Sequence, residues 1–326
     1  MRARAFWTIG PAQGAIREAE LAPAGPGETR VRTLASGVSR GTEALVFRGA
    51  VPPSQYAAMR APLMAGDFPW PVKYGYSAVG MAENGERVFV LHPHQDIFVA
   101  PTAMCTPVPA AVPTPRAVLA ANMETALNLV WDAQPLPGER ILVIGAGVLG
   151  LLAAALLARI PATLVTVCDI LPARRTLAER LGCRFAAPAE APGEQDVIVH
   201  ASASEAGLHL ALRSAAFEAR IIEASWFGTA APALPLGEDF HARRLRIIAS
   251  QVGAVAPRMR GRRSPAQRLA LALELLTDPV FDALLEPPTR FDALPTAMPE
   301  LLAGGLCHVI TYGEGPCSAS PFAIMS

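Results

Sequence analysis

A glycine-rich turn near the middle of the chain constrains the fold more than any other sequence feature. The apolar run Ile141–Ile144 ends at Gly145, and further glycines follow at Gly147 and Gly150 before an apolar stretch that ends at Ala158. In this spacing the first glycine turns the chain tightly out of a strand, the second lets the backbone approach a pyrophosphate, and the third lets a helix pack close to the sheet. The pattern predicts a strand, turn and helix that bind a dinucleotide, with its phosphates at the helix N-terminus.

An acidic residue follows the next predicted strand. Leu164–Cys168 leads into Asp169, whose carboxylate can accept hydrogen bonds from the ribose hydroxyls of adenosine and would repel a 2′-phosphate. We therefore expect NAD as the cofactor, with NADP left open because Arg174 offers a cation; a helix-capping role for Asp169 before Pro172 is the alternative. The predicted cofactor-binding residues are Gly145, Ala146, Gly147, Val148, Leu149, Gly150, Asp169, Arg174, Thr125 and Ala201.

Apolar strands alternate with helices throughout this part of the chain, which is typical of a parallel sheet covered on both faces. The predicted strands are Ile141–Ile144, Leu164–Cys168, Asp196–His200, Arg220–Glu223 and Arg246–Ala249. The predicted helices are Gly147–Ala158, Pro172–Leu181 and Glu205–Ser214. The expected fold class is an α/β Rossmann domain, with a doubly wound parallel sheet, joined to a β-rich domain.

The β-rich domain is predicted from short strand-like pieces that are broken by Gly and Pro up to about Pro109. A proline-rich loop, Gly49–Pro71, follows these first strands and contains a possible short helix at Ser54–Arg60. The other predicted strands are Thr29–Leu34, Ser77–Met81, Glu86–Leu91 and Cys307–Tyr312. The other predicted helices are Arg116–Asp132, Pro265–Leu276 and Leu294–Leu302.

Composition excludes several classes of protein. The chain has 326 residues, which favours two domains, and its formal net charge of zero gives no reason to expect nucleic acid or an anionic membrane as a partner. The longest strongly apolar run, Val148–Ala158, is too short to cross a bilayer, so we expect no membrane insertion and a cytoplasmic protein. The cysteines form no C-x-x-C pair, which argues against a disulfide framework or a thiolate zinc cluster.

With these features the sequence resembles the medium-chain dehydrogenase/reductase superfamily, which contains the zinc alcohol dehydrogenases. The order of parts is similar over essentially the whole chain, including a return segment from Phe291 to Ala297. The resemblance implies a GroES-like catalytic domain built from residues 1–121 and 266–326, and a Rossmann domain over residues 122–265. It also implies an active site in the cleft between the domains and a homodimer formed through the edge of the Rossmann sheet.

The zinc motifs of that superfamily are altered in this sequence. Ser39 stands where zinc members have a cysteine ligand, and Tyr76 stands where they have a histidine ligand. The third ligand position falls on Ala121 or, with a gap, on Glu124. Such a set does not suit zinc, so the chain resembles a zinc-free branch of the superfamily. Within that branch, the segments at residues 39–43 and 73–77 resemble the bacteriochlorophyllide hydroxyethyl dehydrogenases.

Without zinc, proton donors have to stabilise the charge that develops on the substrate oxygen. Tyr76 is the first candidate, with Lys73 expected to lower its pKa. Ser39, Thr42 and the neighbouring Glu43 are expected in the same cleft, where hydroxyls could relay a proton. Glu124 is a candidate base, with a solvated or salt-bridged acid as the alternative. His92 and His94 resemble a metal pair by type, but no third ligand is in sight, and a structural or substrate-contact role is favoured.

Three functions remain open at this point. The first is hydride transfer between a nicotinamide cofactor and a secondary alcohol or ketone, without zinc. The second is a quinone or enone reductase, and the third is a sensor that binds NAD(H) without turnover. The expected partner is a small-molecule substrate, bulky or aromatic, because Phe47, Tyr56, Phe68 and Trp70 lie in or beside the proline-rich loop.

Overall fold

The structure is a computed structural model that describes residues 1–313. In chain order, the strands of the amino-terminal part are β1 (Arg2–Gly10), β2 (Gln13–Glu20), β3 (Glu28–Val38), β4 (Ala65–Gly66), β5 (Val72–Lys73), β6 (Ala78–Ala82), β7 (Arg87–Val90), β8 (Ile97–Pro101) and β9 (Thr106–Pro107). Those that follow are β10 (Arg140–Ile144), β11 (Leu164–Cys168), β12 (Arg184–Ala186), β13 (Gln195–His200), β14 (Ala215–Glu223), β15 (Arg246–Ala249), β16 (Leu285–Arg290) and β17 (Cys307–Thr311).

The helices lie mainly around and after the second group of strands. They are α1 (Arg40–Arg48), α2 (Thr114–Ala117), α3 (Ala120–Ala133), α4 (Val148–Leu157), α5 (Arg175–Arg180), α6 (Glu205–Ser214), α7 (Pro265–Leu275) and α8 (Leu294–Ala303). No helix within the described residues is long and apolar enough to cross a membrane.

The predicted parallel sheet is confirmed, with the strand order β12-β11-β10-β13-β14-β15. Alternate side chains of β10 enter two different cores: Ile141 and Val143 pack with helices α3 and α4, whereas Leu142 and Ile144 pack with α6. Both faces are therefore buried, which explains why the strands read as continuous apolar runs. The strand order reverses at β10, so a crevice opens at the carboxyl ends of β10 and β13.

The β-rich part contains two further sheets, and the carboxyl-terminal segment completes the larger one. Its strands run in the order β16-β17-β3-β6-β7-β9, with β8 also paired to β3, while β2, β1, β5 and β4 form a smaller sheet. Strand β17 pairs antiparallel with β3, placing Val309 opposite Gly37. The return of the chain to its first domain is thus a hydrogen-bonded strand pairing. The boundaries at residues 121 and 266 stay a prediction, and they fall at the starts of α3 and α7.

Two predicted helices differ from those observed. The helix expected over Arg116–Asp132 is divided into α2 and α3, and the carbonyl oxygen of Val118 between them accepts a hydrogen bond from the Ser77 hydroxyl at 2.5 Å. The Ser77 hydroxyl thereby bonds to a carbonyl oxygen that, in a continuous helix, would accept a hydrogen bond from a backbone N–H of the next turn. In place of the helix expected at Ser54–Arg60, the proline-rich loop forms a single 3₁₀ turn, Pro53–Gln55, which is followed by irregular turns.

Candidate functional site

The glycine-rich turn has the shape that a dinucleotide needs. Gly145 has φ +109°, and a Cβ there would lie 2.8 Å from the carbonyl oxygen of Ala201, so only glycine fits. A Cβ on Gly150 would overlap the carbonyl oxygen of Gly145, which confirms the close packing of α4 on the turn. Gly147 caps α4, and a Cβ built on it meets no atom within 4 Å. The turn therefore presents open backbone at the N-terminus of a helix, where phosphates bind.

Asp169 is tied to this turn by two hydrogen bonds. The backbone N–H of Ala146 donates to its Oδ2 at 2.6 Å, and the N–H of Leu171 donates to its Oδ1 at 2.8 Å. The bond from Leu171 caps the turn that follows the strand. The alternative role of Asp169 as a capping residue therefore describes part of what its side chain does. Asp169 is only partly buried, and its carboxylate lies where the strand that follows the glycine turn ends.

Arginines accompany Asp169, and one of them was missed by the sequence analysis. Burial lowers the pKa of Arg40, the charge of Arg174 lowers it further, and Asp169 opposes the shift. Arg40 therefore lies close enough to both residues to interact with their charges, although it belongs to the β-rich domain. Arg174 also donates to the carbonyl oxygen of Gly305 at 3.1 Å. The position of Arg40 directly after Ser39 was the available sequence signal.

The other predicted cofactor residues are divided between the crevice and the interior. Val148 and Leu149 open helix α4 and are partly exposed. The backbone N–H of Ala201 donates to the carbonyl oxygen of Ile144 at 2.8 Å, which holds the end of β13 against the turn. The Thr125 hydroxyl donates to the Ala121 carbonyl oxygen within α3 at 2.9 Å, so this proton is used inside the helix.

Tyr76, Ser39 and Thr42 come together, as the sequence analysis expected. The Tyr76 hydroxyl lies 2.6 Å from Ser39 Oγ, and Ser39 Oγ lies 3.3 Å from Asn122 Oδ1 at the start of α3. Burial raises the pKa of Tyr76 to about 12, against the effect of hydrogen bonds with Ser39 and Thr42, and the charge of Glu43 adds to the rise. Tyr76 is therefore a protonated phenol at neutral pH, with two hydroxyl groups next to it.

A buried hydrogen-bond chain lies behind this cluster. Glu43 Oε1 accepts from the backbone N–H of Ser39 at 2.7 Å, and Glu43 Oε2 lies 3.0 Å from His94 Nε2. His94 Nδ1 lies 2.7 Å from Ser36 Oγ, which lies 2.7 Å from the Tyr312 hydroxyl. Glu43 and His94 are 4% and 1% exposed, so this chain positions the Ser39 backbone from inside the domain rather than lining the cleft.

Lys73 and Glu124 do not join the Tyr76 cluster, which corrects two expectations. Lys73 Nζ donates to Gln95 Oε1 at 2.6 Å, and it is not among the groups that shift the pKa of Tyr76, which is raised rather than lowered. Glu124 is buried and accepts from Arg268 at 3.0 Å. Burial raises the pKa of Glu124 and Arg268 opposes the rise. The sequence cannot show these contacts because each partner is distant along the chain or on another element.

Aromatic rings extend from Tyr76 towards the proline-rich loop. Ring centroids are 6.0 Å apart between Tyr76 and Tyr74, 5.7 Å between Tyr74 and Phe68, and 5.5 Å between Phe68 and Tyr56. We call these four residues the aromatic wall. Trp226, which follows β14 in the Rossmann part, packs against the same cluster.

Two aromatic residues of the sequence prediction lie elsewhere. Phe47 stacks on Phe6 in a separate core, with ring centroids 6.4 Å apart, and is 3% exposed. Trp70 packs over the left-handed Gly49, where a Cβ would overlap its ring. Both positions are therefore explained by packing within the β-rich domain.

His92 is held by packing and by a backbone contact. His92 is buried and its ring stacks on Phe98, with centroids 3.6 Å apart; its Nδ1 lies 2.9 Å from the carbonyl oxygen of Pro93. Within residues 1–313, no three His, Cys, Asp or Glu side chains are grouped so that they could hold a metal ion. The hydroxyls of Ser39 and Tyr76 bond to each other, and this pair does not fit the thiolate, imidazole or carboxylate set that zinc prefers.

Comparison with known proteins gives matches at the level of structure. No protein-family model matches the sequence, and no curated protein matches it. A protein described as a short chain alcohol dehydrogenase from Escherichia coli, in complex with NADH, is similar with a TM-score of 0.76 at 18% identity, covering 95% of this chain and 99% of its own.

Two other solved structures are similar to the same extent. L-idonate 5-dehydrogenase from Escherichia coli has a TM-score of 0.78 at 14% identity, covering 95% of this chain and 98% of its own. A putative zinc-binding dehydrogenase from Sinorhizobium meliloti, bound to NADP, has a TM-score of 0.75 at 15% identity, covering 95% and 99%. Over almost its whole length, the chain therefore has the fold of these dehydrogenases, a Rossmann domain joined to a GroES-like domain.

Proposed function

We propose that this protein is a nicotinamide-dependent oxidoreductase that transfers a hydride between its cofactor and a secondary alcohol or ketone, without zinc. The observation that carries the proposal is the 2.6 Å contact between Tyr76 and Ser39. These two residues stand at the positions that the family resemblance gives to metal ligands, and Arg40 links the cluster to Asp169 at the glycine-rich turn. The proposed proton donor, Tyr76, and the proposed dinucleotide crevice therefore belong to one site.

The chain's own residues fit a nicotinamide dinucleotide. When bound, the cofactor supplies or accepts the hydride. The open backbone at Gly147 would hold the pyrophosphate at the N-terminus of α4, with the positive charge of Arg40 and Arg174 nearby. The carboxylate of Asp169 would accept hydrogen bonds from the adenosine ribose, which would favour NAD over NADP. Solved structures of the same fold contain NADH in one case and NADP in another.

Tyr76 is the general acid and base in this proposal. During ketone reduction its hydroxyl gives its proton to the substrate oxygen, and water then returns a proton to the phenolate. In the reverse direction the phenol first loses its proton to water, and the phenolate accepts the proton of the alcohol. Because its pKa is about 12, Tyr76 is held in the donor form across the neutral range. In the structure the Tyr76 hydroxyl donates to Ser39 Oγ, and Ser39 Oγ donates to Asn122 Oδ1. In this proposal the Tyr76 proton turns from Ser39 to the substrate oxygen, and the Ser39 and Thr42 hydroxyls then donate to the phenolate oxygen and stabilise its charge.

The aromatic wall indicates the class of substrate. Tyr56, Phe68, Tyr74 and Tyr76 form a continuous row of rings, and Trp226 covers the same cluster from the Rossmann side. Phe68 and Tyr74 are buried, so the partly exposed rings of Tyr56, Tyr76 and Trp226 are the ones that can contact a flat or bulky apolar group. We therefore propose a substrate whose alcohol or ketone is attached to a bulky apolar or aromatic body.

A homodimer completes the proposal. Strand β15 is an edge strand of the parallel sheet, and the side chains of Ile247 on β15 and Phe217 on the adjacent β14 are 36% and 64% exposed. An exposed edge that carries apolar residues is a ready site for strand pairing with a second copy. Light scattering of the purified protein should give twice the chain mass, and Ile247→Lys should yield monomers.

Replacing Tyr76 by phenylalanine tests the assigned chemistry. We expect Tyr76→Phe to lower kcat for a secondary alcohol by about 10²- to 10⁴-fold, the usual value of a positioned proton donor, with NADH affinity unchanged. Tyr74→Phe is the control, since it keeps the ring and removes a hydroxyl that donates to the Met59 carbonyl oxygen; its kcat should stay within about threefold.

The outcomes separate the competing functions. A quinone or enone reductase needs hydride delivery with any proton source, so full activity of Tyr76→Phe on such an acceptor would favour that reaction. Binding of NADH without turnover of any alcohol, ketone or quinone would favour a sensor. Stoichiometric zinc in the same active sample would contradict the metal-free assignment of Ser39 and Tyr76.

A further inference from the structure

A buried histidine and a carboxylate meet at the carboxyl ends of two central strands. His200 is the last residue of β13 and is 0% exposed, and Glu223 is the last residue of β14. His200 Nδ1 lies 2.7 Å from Glu223 Oε2. The next residue, Ala201, lies against Gly145, so this pair lies beneath the crevice beside the glycine-rich turn. Neither residue was singled out by sequence.

The hydrogen bonds fix the direction of the protons around His200. A carboxylate only accepts, so Nδ1 carries a proton and donates it to Glu223. In the neutral imidazole Nε2 is then an acceptor, and Ser202 Oγ, 2.7 Å away, donates to it. Ser202 Oγ in turn lies 2.8 Å from Ser204 Oγ, which accepts from the Gly207 N–H at 3.1 Å. Every member of this chain has a partner.

Ser225, two residues after Glu223, differs from the other serines. Its backbone N–H donates to Glu223 Oε1 at 2.7 Å, and its Oγ accepts from the Ala203 N–H at 3.0 Å. The distances from Oγ to His200 Nδ1 and to the His200 carbonyl oxygen are both 3.4 Å. Nδ1 is already a donor, and 3.4 Å is beyond the usual hydrogen-bond length. The partly exposed Ser225 hydroxyl thus donates only through this long contact to the His200 carbonyl oxygen, and a ligand oxygen that comes closer can take its proton.

The topology identifies which part of a dinucleotide reaches Ser225. Asp169 at the end of β11 places the adenosine half on one side of β10, and the strand order reverses there towards β13 and β14. The second nucleotide half therefore lies over the ends of β13 and β14. Trp226, adjacent to Ser225, packs with the cluster that contains Tyr76, so the segment after β14 also faces the proposed proton donor.

We infer that the Ser225 hydroxyl hydrogen-bonds to the ribose of the nicotinamide half of the cofactor, and that His200 and Glu223 are positioning residues that hold it. Glu223 binds the Ser225 backbone through one oxygen and His200 through the other. His200 connects that pair to Ser202 and to helix α6, where a Cβ on Gly207 would overlap the Ser202 hydroxyl. This inference rests on the proposed dinucleotide function and adds a specific contact to it.

Titration of the full-length protein with NADH and with ADP tests the contact, because ADP contains the adenosine half but lacks the second ribose. We expect Ser225→Ala to raise the Kd for NADH about five- to tenfold and to leave the Kd for ADP unchanged. Thr229→Ala is the matched control, an exposed hydroxyl on the same connection, and should change neither constant. Wild-type protein that binds no NADH would overturn the proposed function together with this contact. Wild-type binding of NADH with no selective loss in Ser225→Ala would overturn the contact alone.

Glu223→Gln tests the positioning role. Glutamine keeps the size of the side chain but has one oxygen, so it can accept from either His200 Nδ1 or the Ser225 N–H, and not from both. We expect the same selective loss of NADH over ADP, about fivefold, together with a changed His200 tautomer in ¹⁵N spectra of the imidazoles. A purely structural role predicts a lower melting temperature with an unchanged ratio of the two Kd values, and that result would overturn the positioning role.

Discussion

At the scale of single residues, the proposal assigns the choice between NAD and NADP to Asp169. Arg40 interacts with the charges of both Asp169 and Arg174. Positive charge at this place favours a 2′-phosphate, whereas the Asp169 carboxylate repels one. We therefore expect Asp169→Asn to shift the ratio of NADPH to NADH affinity by about tenfold towards NADPH, which corresponds to ~1.4 kcal/mol.

Asp196→Asn provides the comparison for this change. Asp196 pairs with Arg140 at the opposite ends of the strands, at 3.2 Å, so its loss removes an equal charge away from the crevice and should leave the ratio unchanged. Fluorescence titration of the three proteins with both cofactors gives the ratio directly. An unaltered ratio in Asp169→Asn would show that the ribose is recognised by other groups.

Residue identity alone indicated only part of the site. The tight turn at Gly145 and the close packing at Gly150 could be predicted because they depend on one strand, turn and helix. The partners of Lys73 and Glu124 could not, since Gln95 and Arg268 reach them only after the chain has folded. His200 was missed for the same reason: its sequence is that of a buried strand end, and only the pairing of β13 with β14 brings Glu223 beside it.

At the scale of elements, two glycines around the start of helix α4 are expected to differ in role: Gly150 in stability and Gly147 in cofactor binding. Gly150 has no space for a side chain, because a Cβ would overlap the Gly145 carbonyl oxygen, whereas Gly147 has open space and φ −76°. We expect Gly150→Ala to destabilise the fold by about 1–3 kcal/mol, the usual cost of overpacking. Gly147→Ala should change the free energy of unfolding by less than about 1 kcal/mol while weakening NADH binding at least tenfold.

Urea unfolding and NADH titration of the two variants together check this separation. Gly193→Ala is the neutral reference, because a Cβ there lies within 4 Å of no atom and Gly193 does not have a positive φ. Gly138→Ala is unsuitable, because Gly138 has φ +87°. Equal NADH affinity in Gly147→Ala and wild type would place the pyrophosphate away from this turn.

Elements of the Rossmann part were predicted more accurately than those of the β-rich part. Strands β10, β11 and β13 are apolar on both faces, so their sequence pattern is unambiguous, and they pair in parallel as expected. In contrast, the break between α2 and α3 depends on the Ser77 hydroxyl bonding to Val118. That bond joins distant segments, and no helical periodicity in the sequence could show it.

At the scale of the whole molecule, the two ends of the chain must meet before the site exists. Strand β17 pairs with β3, directly before Ser39 and α1. Arg116 links the start of α2 to Asp282 by two hydrogen bonds, at 2.7 and 2.6 Å. These contacts connect segments more than 150 residues apart, so the proton-donor cluster is a product of global folding, and its integrity should follow the global free energy of unfolding.

That global stability should depend on pH through His92. Burial lowers the pKa of His92 to about 3, and the positive charge of Lys73 contributes to the shift. In the unfolded chain His92 has an ordinary pKa near ~6.5, so below that pH the unfolded state binds a proton that the folded state excludes. The contribution of His92 to stability is therefore complete above about pH 6.5 and is lost as the pH falls towards 3, at ~1.4 kcal/mol per pH unit.

Urea unfolding at pH 7 and pH 5 tests this dependence. Between these values wild type should lose about 2 kcal/mol because of His92, and His92→Asn should lose correspondingly less, although it is less stable at pH 7 because its ring no longer stacks on Phe98. His209→Asn is the control, since His209 bonds to the Ala233 carbonyl oxygen near the surface of α6. If the difference between pH 7 and pH 5 is the same in His92→Asn as in wild type, His92 is protonated in the folded state at pH 5, and the closeness of Lys73 to His92 does not hold in solution.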